Sequence, residues 1–249
     1  MGGASGQGPE ALTGVPEVGR VFRGSHRVRL GDITPSGLLR LDAMARYLQD
    51  VANDDAYDSG IDNPAEWVVR RTVIEVHQPA VLREDLELLT FCSGTGPCWA
   101  ERRTSIRGSS GASVEAATLW VQIDAASGRP LRLDTNFVQV FGPSAAGRTV
   151  KARHQLTDPV PQDASASPFA VRWSDLDVLG HVNNAVYWAM LEEAFAVDGA
   201  VSVPFRVELE HHQALGREAD VRLCRSGERL WVCDGDLVSA AAARGLIKS

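Results

Sequence analysis

The sequence contains very little lysine, few aromatic residues and no long apolar run. Lysine occurs only at Lys151 and Lys248 among 25 basic residues, and the formal net charge is −7. This balance argues against a general nucleic-acid binder. No apolar run approaches the roughly 18–20 residues of a membrane span. The N-terminus also lacks the basic start and apolar core of a signal peptide. We therefore expect a cytoplasmic protein without a membrane span.

Cysteine is also scarce, and its spacing carries no motif. The four cysteines form neither a C-x-x-C pair nor a cluster with histidine: Cys92, Cys98, Cys224 and Cys233. We interpret them as reduced thiols, and the sequence predicts no metal site and no cofactor. The 249 residues are enough for one large domain or two small ones. Residues 1–20 are rich in glycine and predict a flexible tail.

The segment Val171–Tyr187 is dense in polar groups and reads V-R-W-S-D-L-D-V-L-G-H-V-N-N-A-V-Y. It gathers two carboxylates, an imidazole and two amides around one glycine: Asp175, Asp177, His181, Asn183, Asn184 and Gly180. A helical pattern follows at once, and free N–H groups at a helix start favour negative charge. A carboxylate held there could attack a carbonyl carbon or activate water, with N–H groups stabilising the carbonyl oxygen. The alternative is a simple helix cap.

A second copy of this motif stands in the first half of the chain. Residues 28–38 align without a gap with residues 171–181, and a helical periodicity follows both copies. The copies differ at three chemically important positions: Thr34 stands for Asp177, Leu38 for His181 and Arg40 for Asn183. We therefore expect the reactive groups in the second copy, and much of the substrate pocket in the first.

Strand-like segments follow each helical pattern. They are predicted at 67–77, 85–93, 99–107 and 113–123, and again at 169–173, 205–212, 219–225, 229–234 and 237–241. A long helix and a strand meander, repeated twice, predict an α+β fold of two tandem domains, each an antiparallel sheet wrapped around a long central helix. We place the domains at residues 21–145 and 168–249, with a linker at 146–167.

The motif resembles the D-x-D-x-x-G-H-V-N-N signature of the hotdog-fold thioesterases. From about Val21 onward, the chain resembles the acyl-ACP thioesterases, which are tandem hotdogs. Three further segments resemble that family: Gln49–Ala52, Trp67–Arg71 and Thr118–Val121. The resemblance implies hydrolysis of fatty acyl-ACP, or of acyl-CoA, to a free fatty acid and the carrier thiol in fatty acid biosynthesis.

The resemblance also implies a role for each motif residue. The catalytic candidates are Asp177, His181 and Asn183. The candidates that support the oxyanion or the loop are Gly180, Val182, Asn184 and Asp175. Gln49 on the first helix and His211 on a later strand are candidates for substrate contacts. Because strand neighbours face opposite ways, only one of His211 and His212 can reach the site.

Two departures from the family keep other readings open. Leu179 and Ala214 occupy positions where the family has polar residues. One alternative is therefore a catalytically weak protein that binds acyl thioesters, and another is a hotdog dehydratase acting on 3-hydroxyacyl thioesters. An acidic carrier protein would need a basic patch, for which the candidates are Arg70, Arg71, Arg102, Arg103 and Arg107. A tandem hotdog could be a monomer or a homodimer.

Overall fold

A computed structural model describes residues 12–61, 66–196 and 203–247. The strands are β1 (Phe22–Arg27), β2 (Glu66–Gln78), β3 (Asp85–Thr95), β4 (Trp99–Gly108), β5 (Ser113–Ile123), β6 (Ser165–Pro168), β7 (Phe205–His211), β8 (Val221–Ser226), β9 (Arg229–Asp234) and β10 (Leu237–Leu246). The helices are α1 (Leu41–Asp58), α2 (Thr135–Phe141) and α3 (Asn184–Ala196). None of the helices in these ranges is long and apolar enough to cross a membrane.

The strands join into one antiparallel sheet of ten strands, in the order β1-β3-β4-β5-β2-β7-β10-β9-β8-β6. The first half of the chain supplies five neighbouring strands (β1 to β5), and the second half supplies the other five (β6 to β10). The two halves meet where β2 pairs with β7, with Ile74 opposite Val207. This arrangement confirms the predicted α+β fold of two tandem hotdogs, here fused along one strand pair.

The two long helices pack against each other and against one face of the sheet. In α1, the buried residues Leu41, Met44, Leu48 and Val51 recur every three or four positions, as an amphipathic helix requires. Helix α3 is apolar on more than one side, since it lies deeper in the same core, where Trp188 is only 1% exposed. The inward residues of both halves form a single hydrophobic cluster around these helices.

The internal repeat is reproduced down to individual hydrogen bonds. Each copy begins with a short 3₁₀ turn, at Leu30–Asp32 and at Trp173–Asp175. The following loop closes in the same way, because the N–H of Thr34 donates to Leu38 O and that of Asp177 donates to His181 O, both at 2.8 Å. The local sequence therefore encodes one loop shape twice.

One predicted strand of the second half is wrong. The sequence predicted a strand at 169–173, but the strand before the motif is β6, which pairs with β8 through Ala166 and Cys224. Trp173 instead begins the 3₁₀ turn. β6 is a short, exposed edge strand, so it has no apolar alternation that could be recognised in the sequence. β6 therefore begins at Ser165, inside the predicted linker.

The segments expected to be loose are anchored where the structure describes them. Residues 1–11 of the predicted tail lie outside the described residues. Residues 12–20 form no helix or strand, but Thr13 O accepts a hydrogen bond from Arg103 at 2.9 Å, and Arg20 pairs with Asp55 at 2.6 Å. In the linker, Leu156 packs beside Trp231. Thr13 and Arg20 therefore contact the first domain, and the flexibility of the tail stays a prediction.

Candidate active site

The motif loop is braced by Asp175. Its carboxylate accepts hydrogen bonds from the backbone N–H of Arg172 at 2.8 Å and from the Arg172 guanidinium at 2.7 Å. The carbonyl of Asp175 accepts the N–H of Asn183 at 2.8 Å. Asp175 is 2% exposed. These contacts hold the two ends of the motif loop together.

Asp177 lies on the more open side of the loop, with its carboxylate over the backbone. Oδ1 accepts hydrogen bonds from the N–H of Leu179 at 2.9 Å and from that of His181 at 3.1 Å. Gly180 makes the turn possible, because its φ of +75° is one that L side chains rarely adopt. The His181 side chain is exposed. The loop thus presents a half-buried carboxylate held by backbone donors.

The other motif residues form the start of α3. Asn183 is its N-cap, and Asn183 Oδ1 accepts the N–H of Ala185 at 2.9 Å. Asn184 is the first helical residue. Val182 is buried, and its N–H donates to Leu215 O at 2.8 Å. The N–H of Gly180 donates to Asp177 O at 3.0 Å. The amides of residues 180–182, expected to hold an oxyanion, therefore all have acceptors within the chain.

A cavity of about 300 Å³ lies in the first hotdog, between α1, the sheet and α2. Most of its lining is apolar or aromatic, and it consists of Gln49, Ala52, Asn53, Ala56, Ser59, Ile61, Trp67, Cys92, Ala100, Glu101, Arg102, Trp120, Phe137 and Phe141. From Gln49 to Ser59 the cavity follows α1 for about 15 Å, given 1.5 Å per residue. The cavity thus lies in the copy from which we predicted much of the substrate pocket, and its use for substrate stays a prediction.

Gln49 connects this cavity to the motif. It lines the cavity, and its side-chain nitrogen lies 3.5 Å from Asn183 Oδ1 at the N-cap of α3. The wall of the cavity in the first copy thus meets the polar motif of the second copy. Of the two candidates for substrate contacts, Gln49 lines this cavity, and its contact with substrate stays a prediction.

A buried ion cluster stands farther along the cavity wall. Asp55 of α1 is completely buried and pairs with both Arg20 and Arg102. The Arg102 guanidinium carbon also lies 5.6 Å from the centre of the Phe141 ring, within the range of a cation–π contact. Arg102 itself lines the cavity, so the positive charge at this end of the cavity is paired with the carboxylate of Asp55.

His211 lies behind the motif rather than in the cavity. Its ring packs edge-on against Tyr187, with centroids 4.7 Å apart, and burial lowers its pKa to about 3. Burial raises the pKa of Tyr187 to about 12, and the negative charge of Asp177 adds to that shift. His211 is therefore a neutral core residue and is absent from the cavity lining. His211 is buried and His212 is half-buried.

The expected basic patch does not form as a free surface. Four of the five arginines pair with acidic side chains of the same chain: Arg71 with Glu208, Arg102 with Asp55, and both Arg103 and Arg107 with Glu115. The fifth, Arg70, is half-buried and donates to the carbonyl of His211. These arginines stabilise the sheet, and their charges are largely compensated.

The tandem fold and the motif together define a hotdog protein of the thioester hydrolase class. Comparison with family models gives the more specific assignment. Residues 19–141 match the acyl-ACP thioesterase N-terminal domain, and residues 160–236 match the acyl-ACP thioesterase C-terminal domain. The chain belongs to the acyl-ACP thioesterase family.

Individual proteins resemble the chain in sequence or in fold. Uncharacterized protein Rv2001 of Mycobacterium tuberculosis strain H37Rv is 30% identical over 237 residues, which cover 93% of this chain and 94% of that protein. The 12:0-ACP thioesterase of Umbellularia californica has a similar fold, with a TM-score of 0.74 and 22% identity, covering 94% of this chain and 98% of the other. An acyl-ACP thioesterase from Bacteroides thetaiotaomicron has a TM-score of 0.73 and 15% identity, covering 90% and 98%.

The residues of the cavity and its ion cluster were largely missed by the sequence reasoning. Trp67 and Trp120 drew attention only as parts of family-like strands, and α2 was not predicted at all. Asp55 offered one signal, since it is an acidic residue in the buried stripe of α1. A buried carboxylate on a helix normally needs a cationic partner, which the sequence alone did not identify.

Proposed function

We propose that the protein hydrolyses fatty acyl thioesters of an acyl carrier protein in fatty acid biosynthesis, with acyl-CoA as the second substrate. The observation that carries the proposal is the contact between Gln49 and Asn183. It brings the end of an apolar cavity to the polar loop that holds Asp177. An acyl chain in the cavity would have its thioester carbon beside that loop.

The proposed chemistry uses Asp177 as nucleophile or as general base. In the first route, an Asp177 oxygen bonds to the acyl carbon, the C–S bond breaks, and the thiolate leaves and takes up a proton. Water then cleaves the mixed anhydride. In the second route, Asp177 removes a proton from the attacking water. As the carboxylate gives up its charge, the N–H groups of Leu179 and His181 would turn to the developing oxyanion. The His181 side chain would orient the carbonyl.

The cavity volume sets an expectation for the acyl chain. A cavity of about 150 Å³ accommodates benzene with its six carbons, so about 300 Å³ has room for about twelve carbons. We expect medium-length chains to be hydrolysed fastest. Replacing Ala52 by leucine should shorten the preferred chain, because Ala52 lines the cavity. An unchanged chain-length profile in that variant would argue against this cavity as the acyl site.

The first copy of the repeat supplies a matched test of Asp177. At the equivalent position, Thr34 Oγ1 accepts the N–H of Leu38 at 3.2 Å, as Asp177 Oδ1 accepts that of His181. Asp177→Thr should therefore keep the loop and remove the carboxylate, whereas Asp177→Ala removes both. We expect both variants to lose thiol release by about 10³-fold or more, with the thermal stability of Asp177→Thr near that of wild type. Full activity in Asp177→Thr would refute the proposed chemistry.

Exposed apolar side chains beside the motif favour a macromolecular carrier. Trp173 is 75% exposed and Val178 is fully exposed, and such groups are typical anchors of a transient interface. We expect Trp173→Ala to raise KM for acyl-ACP while leaving KM for acyl-CoA unchanged. Leu30, the repeat counterpart of Trp173, is 77% exposed, so Leu30→Ala is the control. Equal changes with both substrates would argue against carrier docking at Trp173.

The alternative is a protein that binds acyl thioesters with little turnover. Leu179 and Ala214, both exposed apolar residues, are the positions that favour it. Tight binding of acyl thioesters by the folded wild type, without thiol release from any ACP or CoA thioester, would favour this alternative. Rapid thiol release that depends on the Asp177 carboxylate would exclude it.

A further inference from the structure

Three polar side chains meet on the face of the sheet opposite the helices, away from the motif. Glu210 lies on β7, His212 directly follows that strand, and His154 comes from the linker that crosses it. Their ligand atoms all lie within 4.8 Å of one another. His212 Nε2 and Glu210 Oε2 lie 4.0 Å apart.

The two imidazoles have unused lone pairs at this point. The Nε2 atoms of His154 and His212 are buried and have no hydrogen-bond partner within the described residues. Buried polar atoms are nearly always bonded, so two unpartnered atoms beside one carboxylate call for a shared ligand.

Glu210 is oriented as a ligating carboxylate would be. It is 1% exposed and accepts the N–H of Gln155 at 2.9 Å and that of Leu156 at 2.9 Å. These bonds fix the carboxylate, and a carboxylate has about four acceptor positions in all.

From this geometry we propose that His154, Glu210 and His212 bind one divalent transition-metal ion of the zinc class. Two imidazoles and one carboxylate are an established donor set for such an ion, at about 2.0–2.2 Å. The two rings are now stacked, with centroids 4.2 Å apart and planes 16° apart. Binding therefore requires one ring to turn until both lone pairs point at the ion. The ion would clamp the linker onto β7 and so join the two hotdogs.

The positive charge of Arg70 opposes the binding of a metal ion. Its guanidinium donates to His211 O at 3.4 Å, and its positive charge lowers the pKa of both His154 and His212. A divalent cation at this place would be repelled by Arg70 and attracted by Glu210. Removing the Arg70 charge should therefore strengthen metal binding, whereas a site made only of stacked, neutral histidines would show no such response.

The test is titration of the metal-free full chain with Zn²⁺ by calorimetry, and with Co²⁺ by visible absorption. We expect one ion per wild-type chain, with His154→Ala and His212→Ala each weakening binding by about tenfold or more, and Arg70→Gln tightening it. His77→Ala is the control, because exposed His77 faces only Glu75, at 3.8 Å. Circular dichroism confirms that each variant is folded.

Two results would overturn the proposal. One is the absence of saturable Zn²⁺ binding by folded wild type. The other is equal binding by wild type and the folded double variant His154→Ala/His212→Ala, which would place any bound ion elsewhere. Both readouts are independent of thioester hydrolysis, so the outcome stands whether or not the proposed function holds.

Discussion

Glu192 should make the stability of this protein depend on pH in an unusual direction. Its side chain lies between the two long helices, and Oε1 accepts the N–H of Leu41, the first residue of α1, at 2.9 Å. Burial is the largest influence on this carboxyl and raises its pKa to about 7. Asp42 adds to the rise, and the Leu41 hydrogen bond opposes it.

The sign follows from linkage between proton binding and folding. The ordinary pKa of a glutamate side chain, 4.5, is taken for the unfolded chain and lies below the value in the folded protein. The full contribution of Glu192 is present below the unfolded value and is lost as the pH rises towards the folded value of about 7. At 1.36 kcal/mol per pH unit, the loss reaches about 3 kcal/mol above pH 7.

Glu192→Gln isolates this contribution, because glutamine keeps an acceptor for the N–H of Leu41 and cannot ionise. We expect the variant to match wild type near pH 4 and to exceed it by up to about 3 kcal/mol at pH 8. For a chain of this size, that difference raises Tm by about 6–12 °C. Scanning calorimetry at both pH values measures it, with Glu193→Gln, an exposed neighbour, as the control. A difference between Glu192→Gln and wild type that does not change with pH would refute the reasoning.

Two further changes test the buried charge cluster and the motif loop. Asp55→Asn leaves two arginines without their carboxylate and should lower the free energy of unfolding, measured in urea, by about 3–5 kcal/mol. The control, Asp58→Asn at an exposed position, should lower it by at most about 1 kcal/mol. Similar losses in the two variants would contradict the special importance of the buried carboxylate. Gly180 and Gly37 have φ of +75° and +83°, with open space around each. Replacing either by alanine should lower the free energy of unfolding by about 1–2 kcal/mol, but only Gly180→Ala should slow thiol release. Equal activity of the two variants would contradict a special role for the second loop.

The sequence predicted those features that depend on neighbours along the chain. The two aligned copies of the motif form loops of the same shape. In each copy, a short polar residue begins the turn (Thr34 or Asp177) and a glycine ends it (Gly37 or Gly180), so the same local hydrogen bonds form. The amphipathic period of α1 and the strand meanders were equally recognisable. β6 was not, since an exposed edge strand is defined by its partner β8 rather than by its own pattern.

The sequence could not predict the features that depend on distant segments. Arg102 was considered as part of a docking patch, but Asp55 on α1 neutralises it. His211 was a substrate candidate, but strand alternation points it at Tyr187 in the core. His154 drew no attention, because it lies in an irregular linker and approaches Glu210 only in the folded protein. Each case required knowledge of which surfaces meet.

The reciprocal contacts of α1 and α3 explain why the proposed site is divided between the repeats. Gln49 of α1 reaches the N-cap of α3 at Asn183, and Glu192, its repeat counterpart on α3, reaches the first residue of α1 at Leu41. Two helices that each touch the start of the other with their middle must run antiparallel. The start of α3 therefore lies beside Gln49 of α1, which lines the cavity of the first copy. The first copy supplies the cavity and has no carboxylate at Thr34, whereas the second copy supplies the carboxylate of Asp177. Neither half alone would therefore contain the complete proposed site.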